Sequence, residues 1–126
     1  EKQVVLSMWD LAGQSQYAAG LQPYIVDGSL YLLTVPALEI PALNAGYGDY
    51  LGRWLDYLEV GAPNAVVVPV LTKCDLLIPP DQKERGHGAL HAAATAQLNW
   101  IRDGIARHRE MQENGSRLRI ETNIQC

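Results

Sequence analysis

The sequence predicts an α/β domain built on a parallel sheet with helices on both faces. Three observations predict it. Residues 4–9 (VVLSMW), 30–35 (LYLLTV) and 65–71 (AVVVPVL) are short, nearly continuous apolar runs, the pattern of strands covered on both sides. Longer segments with helical spacing follow the second and third runs. Strands alternating with helices mark a parallel sheet, because parallel neighbours need a crossover between them.

Each element has its own local warrant. The first run opens on β-branched residues and is interrupted at Asp10 to Gly13. Residues 15–25 are expected to be helical in part, weakened by Gly20 and Pro23. Asp27-Gly28-Ser29 is a turn signal before the second strand. Residues 36–41 are loop-like. Over residues 47–60, Tyr47, Tyr50, Leu51, Trp54, Leu55 and Leu58 fall on one helical stripe, and Gly61 to Asn64 ends the helix. The third strand contains Pro69, which cannot donate a ladder hydrogen bond and must interrupt pairing on one side. Residues 81–88 are polar and linker-like. A long helix is expected over residues 89–112, with Leu90, Ala93, Ala94, Gln97, Leu98, Ile101 and Ile105 repeating at three and four. Arg107, His108 and Arg109 suit the negative end of its dipole, and Asn114-Gly115 stops it. Leu118, Ile120, Thr122 and Ile124 alternate as a last strand.

Composition narrows the function classes. The 126 residues are one domain's worth, and 10 Lys+Arg against 14 Asp+Glu give a net charge of −4. A general nucleic-acid binder would carry basic excess instead. No apolar run approaches the ~20 residues that span a bilayer. The start, Glu-Lys-Gln, has neither the basic end nor the apolar core of a secretory leader. The two cysteines, Cys74 and Cys126, are expected to be free thiols of a reducing compartment, hence a cytoplasmic protein. His87, His91 and His108 show no sequence clustering with carboxylates or thiols, which argues against zinc.

In a parallel sheet, ligands bind beyond the carboxyl ends of the strands. Two polar stretches stand there: Asp10-Leu11-Ala12-Gly13-Gln14 after the first run, and Thr72-Lys73-Cys74-Asp75 after the third. An aspartate at a strand end can hold a hydrated metal ion. Gly13, lacking a Cβ, lets its amide approach a terminal phosphate. Gln14 can orient a water for in-line attack on phosphorus. The Asp75 carboxylate can accept paired hydrogen bonds from the ring N–H and amino group of guanine, a pattern adenine lacks. The Lys73 stem can lie over the purine face. The competing reading of each stretch is an ordinary capped turn or a solvated charged pair.

These residues carry a resemblance. WDLAGQSQY (residues 9–17) resembles the switch II sequence of Ras-like small GTPases, and LTKCDL (residues 71–76) resembles their guanine-specificity motif. The aromatic before Asp10 and the long stretch before the last helix are most similar to the Roc domains of Roco proteins. The resemblance implies a three-layer, P-loop-NTPase-like Ras-like G domain over residues 1–126, lacking the first strand, the phosphate loop and the first helix. It implies that Asp10 holds Mg²⁺ through a water, Gly13 senses the γ-phosphate, Gln14 positions the hydrolytic water, and Thr72, Lys73 and Asp75 bind the base of GTP or GDP. Thr72 stands where asparagine is usual, and a hydroxyl does not reproduce the amide's two-ended bridge. No G-x-x-x-x-G-K-[ST] phosphate loop occurs in the chain.

Two functions therefore stay open. One is a GTP-hydrolysing signalling switch whose switch II segment meets regulatory proteins. The other is a non-catalytic G-like scaffold that docks partners or dimerises. Tyr17, Trp54, Tyr57 and Trp100 are expected to be packing residues, with Tyr17 the best placed of them for a partner surface. Arg102, Arg107 and Arg109 are expected to form a solvated helix end.

Overall fold

The computed structural model describes residues 5, 7–11, 18–38, 51–81, 90 and 92–124. Among the described residues three α-helices and three strands alternate: α1 (Ala18–Leu21), β1 (Leu30–Pro36), α2 (Leu51–Gly61), β2 (Val66–Thr72), α3 (Thr95–Met111) and β3 (Arg119–Ile120). The sheet is parallel with order β1-β2-β3. β1 pairs with β2 along its whole length, from Leu30↔Val66 to Pro36↔Thr72.

This order has a consequence for layering. Each crossover is right-handed by general rule, and both advance in the same direction across the sheet, so both helices belong on one face. α2 and α3 do meet, and Leu51, Leu55, Leu58, Leu98, Ile101 and Ile105 form one buried cluster with Val35, Val67 and Leu71 of the sheet. Their spacing at three and four residues is the stripe visible in the sequence. Full burial of such a side chain stabilises by roughly 1.5–3 kcal/mol. The opposite sheet face is thinly covered: Leu30 and Leu32 are more than 60% exposed, and Val66, Val68 and Val70 are half-buried. The expected third layer is not seen among the described residues.

Pro69 acquires a physical account. The carbonyls of Ala65 and Val67 accept from Arg119 and Glu121 on the β3 side, at 3.1 and 2.9 Å. Pro69 is in phase with these two, so its missing N–H lies on the β3 side. The β3 ladder stops there, after Val67↔Ile120. Pairing with β1 uses the other phase, Val66 to Thr72, and runs uninterrupted. The proline thus limits β3 to two residues, where alternation alone predicted a longer strand. Leu118, Ile120 and Ile124 nevertheless point inward as expected.

Polar ties fasten the amino-terminal edge of the sheet. Glu59 of α2 is the hub. Its Oε1 accepts from the Arg117 N–H at 2.6 Å, and its Oε2 accepts from Ser116 Oγ at 2.7 Å and lies 3.1 Å from His108 Nε2. Burial raises the Glu59 carboxyl, but the Arg117 N–H, the Ser116 hydroxyl and His108 outweigh it and hold it below the usual glutamate value. The backbone and side-chain amides of Asn64 both donate to Asp27 at 2.7 Å, joining the turns before β1 and β2. Arg109 donates to the Ile120 carbonyl at 3.0 Å and covers the outer edge of β3. This argues against Arg109 as part of a merely solvated helix end. Gly115, at φ +75°, supplies the left-handed turn that brings Ser116 and Arg117 back to Glu59.

The structure corrects three further expectations. Residues 5 and 7–10 are not in a strand, and Val5, Met8 and Trp9 are 81%, 91% and 70% exposed. An apolar, β-branched run can form a strand, but burial has to come from a neighbouring strand, and none among the described residues pairs with it. The last helix is continuous only from Thr95, with Ala94 a turn. Cys74 is disulfide-bonded, so it is not a free thiol and lends no support to a reducing compartment. Cys126, and the linker at residues 82–88, lie outside the described residues.

Candidate functional site

The carboxyl edge of the sheet carries the candidate site. At the end of β2 the Thr72 carbonyl accepts from the Ala37 N–H at 2.9 Å, tying this end to the chain leaving β1. Lys73 then adopts φ 58°, ψ 30°, the one non-glycine left-handed residue among those described. That conformation costs an ordinary side chain about 1–2 kcal/mol, and such outliers concentrate at functional turns. The bend starts a 3-10 turn, Cys74–Leu77, closed by the Leu76 N–H to the Lys73 carbonyl at 3.2 Å. Its effect is to sort side chains. Cys74 goes into the core at 4% exposure, its Sγ 3.3 Å from the Leu71 carbonyl, while Lys73 and Asp75 on either side of it in sequence are exposed. Thr72, just before them, is half-buried.

The other stretch is placed in part. Trp9 packs on Tyr24 with ring centroids 5.6 Å apart. Leu11 lines a cavity of about 180 Å³ together with Leu32, Thr34, Pro36 and Trp54. Pro36 is the register partner of Thr72, so this cavity reaches the carboxyl edge of β1. Asp10, one residue before Leu11, is exposed. Gly13, Gln14 and Tyr17 lie outside the described residues. The structure therefore sets Thr72 at the end of β2 with Lys73 and Asp75 in the turn that follows, and puts Leu11, next to Asp10, in the wall of a cavity shared with β1.

The donor set bears on a metal ion. Asp10 offers one exposed, hard carboxylate. No group of three His, Cys, Asp or Glu side chains is poised to hold an ion among the described residues. A lone carboxylate fits a water-mediated contact to a Mg²⁺ held chiefly by phosphates, and does not fit an all-protein cage.

Two features escaped the sequence. The left-handed turn at Lys73 has no signature, since glycine or asparagine usually marks it. The sequence shows no ligand-like clustering of His108 with carboxylates, yet in the fold its ring lies between Asp56 and Glu59 of α2. Only the packing of α3 on α2 brings them together; the available signal was two acids spaced three apart on one helix face. Trp54, Tyr57 and Trp100 are half-buried, as packing residues should be, and Trp54 and Tyr57 contact each other at 5.9 Å. His87 and His91 lie outside the described residues.

No protein-family model matches this chain, and no solved structure matches it. None of the described helices is long and apolar enough to cross a membrane.

Proposed function

We propose that this chain is the base-recognising part of a Ras-like guanine-nucleotide-binding domain, of the Roc type. The observation that carries the proposal is the Thr72–Asp75 turn. It stands at the carboxyl end of the central parallel strand, where α/β sheets take ligands, with Lys73 in a left-handed conformation and both Lys73 and Asp75 exposed. Asp75 accepts the guanine ring N–H and amino group as a bidentate pair. The Lys73 methylenes cover the purine face. Thr72 offers one hydroxyl contact beneath. Gly13 contributes a backbone N–H to the terminal phosphate, and Gln14 holds the attacking water in line with the bond to be broken. Asp10 would hold Mg²⁺ through a water. Mg²⁺, when bound, supplies positive charge against the phosphate oxygens.

Hydrolysis would convert GTP to GDP and phosphate and change the order of the segment around residues 12–24, the surface offered to regulatory proteins. Self-association into a dimer belongs to the same proposal. A cytoplasmic location follows from this class of protein and not from the cysteines. The second reading is a non-catalytic G-like scaffold. Calorimetry separates the two. In a chain extended to include a phosphate loop, the expected result is binding of GTP and GDP in preference to ATP, with the preference abolished by Asp75→Ala. Equal affinity for guanine and adenine nucleotides overturns the proposal. The 126 residues alone are expected to show no measurable GTP binding, because the amides and lysine that carry phosphate affinity are not among them.

A further inference from the structure

His108 is 1% exposed, although the residues on either side of it in α3 are exposed. Its Nε2 lies 3.1 Å from Glu59 Oε2 and its Nδ1 lies 3.4 Å from Asp56 Oδ1. Both carboxylates project from α2, three residues apart. A neutral imidazole has one N–H, and its other nitrogen carries a lone pair. With an ionised acid facing each nitrogen, one neutral tautomer or the other sets a lone pair against a carboxylate oxygen. Only the ring with two protons donates on both sides. We infer that His108 is a proton-operated latch between α2 and α3, clasping both carboxylates when doubly protonated and releasing Asp56 when it loses one proton.

The surroundings decide which contact is released. Glu59 is 12% exposed at its side chain and is fixed by Ser116 Oγ and the Arg117 N–H as well as by His108. Asp56 is 66% exposed, so water replaces His108 there at little cost. Among the described residues no Lys or Arg side chain forms an ion pair with either carboxylate. Arg109, the next residue on α3, is turned to the Ile120 carbonyl, and the Arg117 charge acts on Asp27. The hydrogen bonds to Glu59 hold its carboxyl below the usual range, so it stays ionised while imidazoles exchange protons. The latch fastens the last turns of α2 to α3 and, through Glu59, to the loop entering β3. It does not depend on the nucleotide proposal.

The Asp56 contact needs the second proton, so what that contact adds is expected to be larger at low pH than at high pH. The test is thermal unfolding of the chain and its Asp56→Asn variant between pH 5.5 and 8.5. Asp56 is at the surface, so the variant keeps the core intact. The original chain is expected to melt about 3–4 °C above the variant at pH 5.5, with the gap closing to less than about 1 °C at pH 8.5. A gap that stays constant or widens with pH overturns the latch. Nitrogen-15 spectra of the His108 ring, assigned through His108→Gln, supply a second readout. Two protonated nitrogens at pH 5.5 giving way to one at pH 8.5 support it, and a single neutral tautomer throughout overturns it.

Discussion

Replacing Glu59 by glutamine tests the polar hub with almost no change in volume. The carboxylate accepts three hydrogen bonds, from the Arg117 N–H at 2.6 Å, Ser116 Oγ at 2.7 Å and His108 Nε2 at 3.1 Å. An amide has one oxygen. Placed at Oε2, that oxygen keeps Ser116 and His108, but the NH₂ group then faces the Arg117 N–H, and one bond becomes a donor–donor contact. Losing a charge-assisted bond costs about 2 kcal/mol, and the two neutralised bonds lose roughly 0.5 kcal/mol each. The sum is about 3 kcal/mol. For a domain of this size that lowers the melting temperature by about 12 °C at pH 7. The pH dependence gives an internal check. Despite its partial burial, the hydrogen bonds from Arg117, Ser116 and His108 hold the Glu59 carboxyl below the ordinary glutamate value. Its contribution is therefore complete above that value and disappears as pH falls through the lowered one. The gap between Glu59→Gln and the original chain should shrink in that acid window. Circular dichroism melts at pH 7 and at successively lower pH measure both quantities. A loss under 3 °C at neutral pH refutes the assignment of Glu59 as the hub, as does a gap that ignores acidification.

Other outcomes are expected. Leu55, fully buried on α2, should cost about 2–5 kcal/mol when cut to alanine, read from urea denaturation. Lys73→Gly should relieve the left-handed strain and raise stability by about 0.5–1 kcal/mol. In a chain complete enough to bind nucleotide, the same substitution should weaken GTP binding, and a variant that is neither more stable nor weaker in binding speaks against the strained turn as a functional feature. Gln14→Leu in such a chain should slow single-turnover hydrolysis and leave GTP affinity unchanged, whereas unaltered rates remove Gln14 from the role of positioning water.

Local pattern determined the elements whose signals are local. The stripe of Leu51, Leu55 and Leu58 predicted α2, and Leu98, Ile101 and Ile105 predicted α3. β1 and β2 were legible as apolar runs, and the turn at Gly115 as a helix stop. These depend on neighbours a few residues away, which a linear reading sees. The Thr72–Asp75 stretch was also legible as a candidate site, because its residues are contiguous and follow a strand. Tertiary structure decided the rest. Residues 4–9 have the composition of a strand, yet the described part of that stretch is exposed, since burial depends on a partner and not on composition. Pro69 shortened β3 only because its phase faces that strand and not β1. His108 met Asp56 and Glu59 across about 50 positions of sequence. The common reason is range: periodicity records what each segment can bury, while pairing and packing between distant segments determine what it does bury.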